Sequence, residues 1–201
     1  MGIERPLLLE FPEAWTSPRV IVRPWRDTDA QPFFDAIQES SAHISQWLPW
    51  PTYHRTVDDT REFIRRQQAR LIVREGIDGL GIFHAESGAI LGGTGLHVHD
   101  WRLPSFEIGY WIRSTAEGKG YVSEAARLLT TFAFEHLHAE RVMIRCDARN
   151  DRSKRVPERL GFTFEGCQRH DSLGTDGAVR DTLIYAMIPA EYARAKQAWA
   201  A

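Results

Sequence analysis

The chain has 201 residues, 43% hydrophobic and 26% charged, with a formal net charge of -2. That is the length of one ordinary domain with enough apolar residues for a core, and the near-neutral balance argues against the basic field of a nucleic-acid or membrane-surface binder. No stretch approaches the roughly 20 apolar residues of a membrane span, and Cys146 and Cys167 stand in no metal-type spacing, which together predict a cytoplasmic protein with reduced thiols and no metal.

Leu7-Leu8-Leu9 is too short for a signal-peptide core and ends at Glu10, while Pro6 stands where a myristoylation signal needs Ser or Thr. The alternation Arg19-Val-Ile-Val-Arg23 predicts a strand, followed by a turn over 24–29 and a helical segment over 30–39. Trp47-Leu-Pro-Trp50 and Tyr53 form a rigid aromatic loop, because Pro49 and Pro51 prevent it from joining a helix. Residues 56–74 read as an amphipathic helix with Phe63, Ile64 and Leu71 near one face and Arg61, Arg65, Arg66 and Arg70 as a solvated basic stripe. Strands are predicted over 80–85 and 90–99, joined by a hairpin at Ser87-Gly88, and over 106–112. Val122, Ala125, Ala126, Leu129, Phe132 and Ala133 repeat at three and four, which predicts a helix over 121–137. A strand over 142–147, a short helix over 153–160 and strands over 162–169 and 182–188 complete an α/β chain with a mixed sheet.

Gly118-Lys119-Gly120 precedes the clearest helix, where free backbone N–H groups and the helix dipole favour phosphate. It is not a dinucleotide fingerprint, since Ser123 replaces the third glycine, and it lacks the spacing of a nucleotide P-loop. A plain helix-start turn remains its simplest alternative.

The ordered motifs Glu107-Ile-Gly-Tyr-Trp111, Gly118-Lys-Gly-Tyr121 with Glu124-Ala125, Asn150-x-x-Ser153 and Leu160-Gly-Phe162 with Glu165-Gly166 resemble the GNAT acetyltransferases. Trp47 through Trp50, and Asp181 with Tyr185, resemble the RimJ/RimL-type branch, which acetylates ribosomal-protein N-termini. The resemblance implies an α+β GNAT fold over residues 19–188: a mixed, mostly antiparallel seven-stranded sheet with a splayed central parallel pair, flanked by helices. Residues 1–18 would be an N-terminal extension and 189–201 a helical C-terminal tail. It implies acetyl-CoA as cofactor, CoA as product, no metal, and an amine acceptor such as a ribosomal or other protein N-terminus, in a monomer or homodimer.

By the same resemblance the turn of Glu117, Gly118, Lys119, Gly120, Tyr121, Val122 and Ser123 presents amides to the CoA pyrophosphate, with Lys119 adding charge. The strand edge at Trp111 and Ile112 pairs with the pantetheine arm, Asn150 hydrogen-bonds it, and Ser153 lies close to the sulfur. In that branch Trp47 and Trp50 form part of the acceptor cleft; His97 and Asp171 are read from the sequence itself as candidate substrate contacts. Thr115 departs from the usual Gln or Arg before the turn, and Pro157 predicts a late-starting or distorted helix after Ser153.

An amine attacks a thioester only when neutral, so a base is needed, directly or through water. Glu107 is the first candidate, with Asp171 and His97 behind it, and positioning alone is a further alternative. A backbone N–H near Trp111 or Ile112 is the oxyanion donor, and Ser153 is the donor to the leaving thiolate. Each has a plainer reading: Ser153 as a helix cap, Glu107 as a strand carboxylate bound to an Arg, and Trp47 and Trp50 as core lid or dimer surface. His97 and His99 share a strand face within reach of one ion, but no third ligand follows by spacing. A non-catalytic acyl-CoA-binding sensor or interaction module on the same fold is the alternative to an enzyme.

Overall fold

A computed structural model describes residues 2–200. Its sheet contains β1 (Trp15–Thr16), β2 (Val20–Pro24), β3 (Ile77–His84), β4 (Ile90–Asp100), β5 (Ser105–Ile112), β6 (Arg141–Asp147), β7 (Thr163–Leu173) and β8 (Val179–Met187). They lie in the order β1-β2-β3-β4-β5-β6-β8-β7, with β5 and β6 parallel and every other neighbouring pair antiparallel. The mixed sheet with its central parallel pair is the expected one, with one correction: it has eight strands instead of seven. The addition is β1, whose two residues are too few to show an alternation in the sequence.

The helices are α1 (Ala30–Ile44), α2 (Val57–Ile72), α3 (Tyr121–Glu135), α4 (Asp151–Leu160) and α5 (Pro189–Ala200). Thr56 caps α2 through its hydroxyl, which accepts the Asp59 N–H, and the Asp59 carboxylate returns the bond to Thr56 N–H. α1 runs five residues beyond its expected end at Glu39 because Ser40 and Ser41 continue the helix. Ser40 is buried, and its hydroxyl accepts the Ser114 N–H at 3.1 Å.

Alternation along β3 sends Ile82 to one core and Phe83 to another. The larger core lies beneath α3, where Ala125, Ala126, Leu129, Phe132 and Ala133 are all buried as their spacing predicts. The smaller core joins Phe33 and Ile37 of α1, Ile64 of α2, Trp25, Phe83 and Ile90. Each large side chain so buried contributes about 1.5–3 kcal/mol. The first residues join the larger core too: Trp15 packs edge-on against Phe132 with ring centroids 4.9 Å apart. At the other end of the chain, Tyr192 of α5 stacks on Phe134 at 4.7 Å. Among the described residues, no helix is long and apolar enough to cross a membrane.

The β5–β6 pairing positions the site. Its register covers Ser105↔Arg141, Phe106↔Val142 and Glu107↔Met143, and stops there although both strands continue. Beyond Glu107 the parallel strands part, and the sheet opens.

Candidate active site

A cavity of ≈ 1360 Å³ occupies this opening. One end is walled by the turn before α3 and the start of α4, the other by Trp47, His97, Glu107, Arg145 and Asp171. This volume exceeds the ~300–1,000 Å³ usual for a small-molecule pocket and suits a long ligand with a second reactant beside it.

Gly118 and Gly120 adopt φ of +72° and +83°, the left-handed region that favours glycine. Gly120 is the N-cap residue of α3 and brings no side chain, so the N–H groups of Tyr121, Val122 and Ser123 lack intrahelical partners at the cavity wall. The dipole of α3 adds positive potential there. Glu124 ties the first turn of α3 to the strand side, accepting from Ser17 Oγ at 2.6 Å and Arg19 Nη2 at 2.7 Å. Burial opposes its charge, but the Ser17 and Arg19 hydrogen bonds outweigh that and hold its pKa below the usual carboxylate range. The Glu117 carboxylate bridges the turn to His43 Nε2 at 2.7 Å and to the guanidinium of Arg152 of α4. Thr115 is committed elsewhere: its hydroxyl donates to Glu39 Oε1 of α1 at 2.9 Å.

α4 begins at Asp151, earlier than expected, because Asn150 is the cap. Its Oδ1 accepts the Ser153 N–H at 3.0 Å. Ser153 is therefore not the cap but the third residue of the helix, and the cap leaves the Asn150 amide NH₂ as a donor. The Ser153 Oγ lies 3.1 Å from Tyr110 Oη of β5, which donates to the Ser153 carbonyl at 3.0 Å. Burial pushes the nearby Cys146 thiol up to about 11, against a lowering contribution from the Ser153 hydroxyl, so it is a neutral thiol at physiological pH.

At the other end Glu107 Oε2 accepts from Arg145 Nε at 3.0 Å and lies 3.3 Å from His99 Nε2. Both contacts fall on one oxygen. His97 turns instead to Asp78, Nδ1 to Oδ2 3.3 Å, so the two histidines serve different carboxylates. Gly109 makes room for His97: a Cβ there would sit 3.0 Å from the imidazole Nε2. Asp171 Oδ2 accepts from Thr182 Oγ1 at 2.6 Å. Asp147 is buried and pairs with Arg149 at 2.8 Å, and this hydrogen bond, stronger than the opposing burial, lowers its pKa.

Glu107, Trp111, Ile112, Glu117, Gly118, Gly120, Tyr121, Val122, Ser123, Asn150, Ser153, Trp47, His97 and Asp171 thus line one cavity. Two expected residues stand outside that lining. Lys119 Nζ donates back to the Thr115 carbonyl at 3.1 Å, and Trp50 packs edge-on against Trp111 from behind, at 5.5 Å. Arg145 and His43 line the cavity without a motif to announce them, and Tyr110 lies within the Glu107–Trp111 motif without a role assigned to it. Tyr110 had one available signal, Pro157, since a proline inside a helix leaves a carbonyl seeking a donor.

The Acetyltransferase (GNAT) domain family matches residues 19–163. A candidate ribosomal N-acetyltransferase of Bacillus subtilis, YdaF, is 34% identical over 177 residues, covering 86% of this chain and 93% of that protein. The ribosomal-protein-serine acetyltransferase of Escherichia coli is 25% identical over 81% of this chain and 88% of its own length. RimL, a ribosomal α-N-protein acetyltransferase solved in complex with coenzyme A, superposes with a TM-score of 0.77 at 21% identity, covering 88% of this chain and 98% of that one. This last likeness is one of fold.

Proposed function

The chain belongs to the GNAT acetyltransferase family, and we propose that it is an acetyl-CoA-dependent N-acetyltransferase whose acceptor is the N-terminal α-amine of a protein, ribosomal proteins foremost. The observation that carries this reading is the parting of β5 and β6 beyond Glu107, between an uncapped helix N-terminus on one side and carboxylates on the other. The names of YdaF and the E. coli serine acetyltransferase support the ribosomal acceptor.

The residues present fit acetyl-CoA. The uncapped amides of Tyr121, Val122 and Ser123 suit a pyrophosphate. The edge of β5 from Ile108 to Ile112, without a β6 partner in the register, suits a polar arm laid alongside as an added strand. Bound there, acetyl-CoA supplies an activated acetyl thioester. The Asn150 amide is a donor toward the arm, and the Ser153 hydroxyl holds a proton for the departing thiolate.

At the acceptor end Glu107 and Asp171 attract an ammonium group. Glu107, oriented by Arg145, takes the amine proton through water at its other carboxylate oxygen. Trp47 and the Trp111 wall exclude solvent from the meeting point, and Trp111 is backed by Phe33 of the smaller core, with centroids 5.8 Å apart. Thiol release from acetyl-CoA with peptides beginning in Ser or Ala, against the same peptides with a blocked α-amine, tests the assignment. Release with the free peptides alone supports it. Equal release with blocked peptides overturns the α-amine acceptor, and calorimetric binding of acetyl-CoA without turnover of any amine favours the sensor.

A further inference from the structure

Pro157 is the seventh residue of α4, and its missing N–H is the one that would have bonded the Ser153 carbonyl four residues earlier. That carbonyl does not stay empty. Tyr110 Oη, reaching from β5 across the opening to α4, lies 3.0 Å from it and 3.1 Å from Ser153 Oγ. Tyr110 has one hydroxyl proton, and a carbonyl can only accept. With that proton on the Ser153 carbonyl, the Tyr110 oxygen is left as an acceptor for the Ser153 hydroxyl proton, for which the Cys146 sulfur is the competing neighbour. Burial pushes the Tyr110 hydroxyl well above the ordinary phenol range, which keeps it a donor at all physiological pH.

We propose that Tyr110 is a positioning residue for Ser153, made necessary by Pro157. The proline vacates a carbonyl in the first turn of α4, the tyrosine fills it, and the filled tyrosine oxygen then fixes the direction in which the Ser153 hydroxyl points its proton. The site of action lies where the parallel strands have parted, so the same contact also braces β5 against α4 across the cavity. When negative charge develops on a sulfur beside Ser153, the proton re-aims from a neutral phenol oxygen to the stronger anionic acceptor. Tyr110 stays on the carbonyl throughout, so no proton leaves it. This inference rests on the reading of Ser153 as the thiolate-side donor.

The test is a set of variants assayed for acetyl transfer to a Ser-initiated peptide, for acetyl-CoA affinity by calorimetry and for thermal stability. Tyr110→Phe is expected to lower kcat on the order of 10-fold while the acetyl-CoA Kd and the peptide KM stay within about twofold. In a Ser153→Ala background Tyr110→Phe should cost no further activity, since the residue it positions is gone. The Pro157→Ala background separates packing from positioning. There the helix supplies its own N–H to the Ser153 carbonyl, so Tyr110→Phe should lose less than the roughly 2–4 °C or more in Tm expected with Pro157 present. The kcat loss should persist, because the oxygen that directs the Ser153 proton is still missing.

A Tyr110→Phe enzyme with wild-type kcat overturns the proposal, and so does a loss that multiplies with that of Ser153→Ala. Recovery of kcat together with Tm in the Pro157→Ala background would make the effect one of folding alone and overturn it as well. A Ser153→Ala variant as fast as wild type would instead overturn the donor assignment, and this inference with it.

Discussion

Gly120→Ala isolates the contribution of the turn before α3. A Cβ at Gly120 would meet nothing closer than Arg19 Nη2 at 3.6 Å, an ordinary contact, so the substitution creates no clash. What it does create is backbone strain, because φ is +83° and an L-residue there costs about 1–2 kcal/mol. The turn has an easy way to relieve that strain. Gly120 offers no side-chain cap, and the first turn of a helix opens at little cost. In the free protein the turn therefore relaxes and its amides swing out of line. Acetyl-CoA must restore them, which weakens Kd by about 5–30-fold at 1.4 kcal/mol per factor of ten. Gly88→Ala is the control, with φ of +68° and open space around it in the β3–β4 hairpin, outside the cavity lining; it should leave Kd unchanged. Calorimetric titration with acetyl-CoA reads both. A Gly120→Ala protein that binds as tightly as wild type would refute the amide cradle.

Asn150→Asp keeps the cap oxygen but removes the amide donor, so Tm should hold while acetyl-CoA binding weakens; Asn150→Ala loses both, with about 1 kcal/mol of stability. Equal affinity in the two variants and wild type would remove Asn150 from the ligand site. Trp47→Ala should raise the peptide KM and leave acetyl-CoA Kd alone, and an unfolded variant would place Trp47 in the core instead. His54 is buried among Phe33, Trp50 and Phe63, and that burial lowers its pKa from 6.5. The unfolded chain therefore binds the proton more tightly than the folded one. Its contribution to stability is complete above pH 6.5 and is lost as pH falls from there through the folded pKa. Denaturant titrations between about pH 7.5 and 5.5 should show this loss in wild type and a flatter profile in His54→Gln, whereas parallel profiles would contradict it.

The elements legible in the sequence were those whose signal is local. Ala125, Ala126, Leu129, Phe132 and Ala133 repeat at helical spacing and are buried for that reason. The glycine turn was readable because a left-handed φ demands glycine wherever it occurs. The start of α4 is ambiguous in the sequence because Asn150 and Ser153 are both good caps, and only the bond from Ser153 N–H to Asn150 Oδ1 decides between them. Pairings across the sheet had no local trace. Arg145 reaches Glu107, 38 residues away, through the register of a parallel pair, and Tyr110 reaches Ser153, 43 residues on, only because that pair opens. The aromatic loop showed its residues but not their duties: Trp47 faces the cavity while Trp50 supports Trp111.

The most direct test of the account is a single-turnover reaction of the protein with acetyl-CoA and a Ser-initiated ribosomal peptide, following free thiol and peptide mass together. The account predicts thiol and acetylated peptide in equal amounts, with the acetyl group on the α-amine. No thiol from a protein that binds acetyl-CoA, or thiol without acetylated peptide, would contradict it.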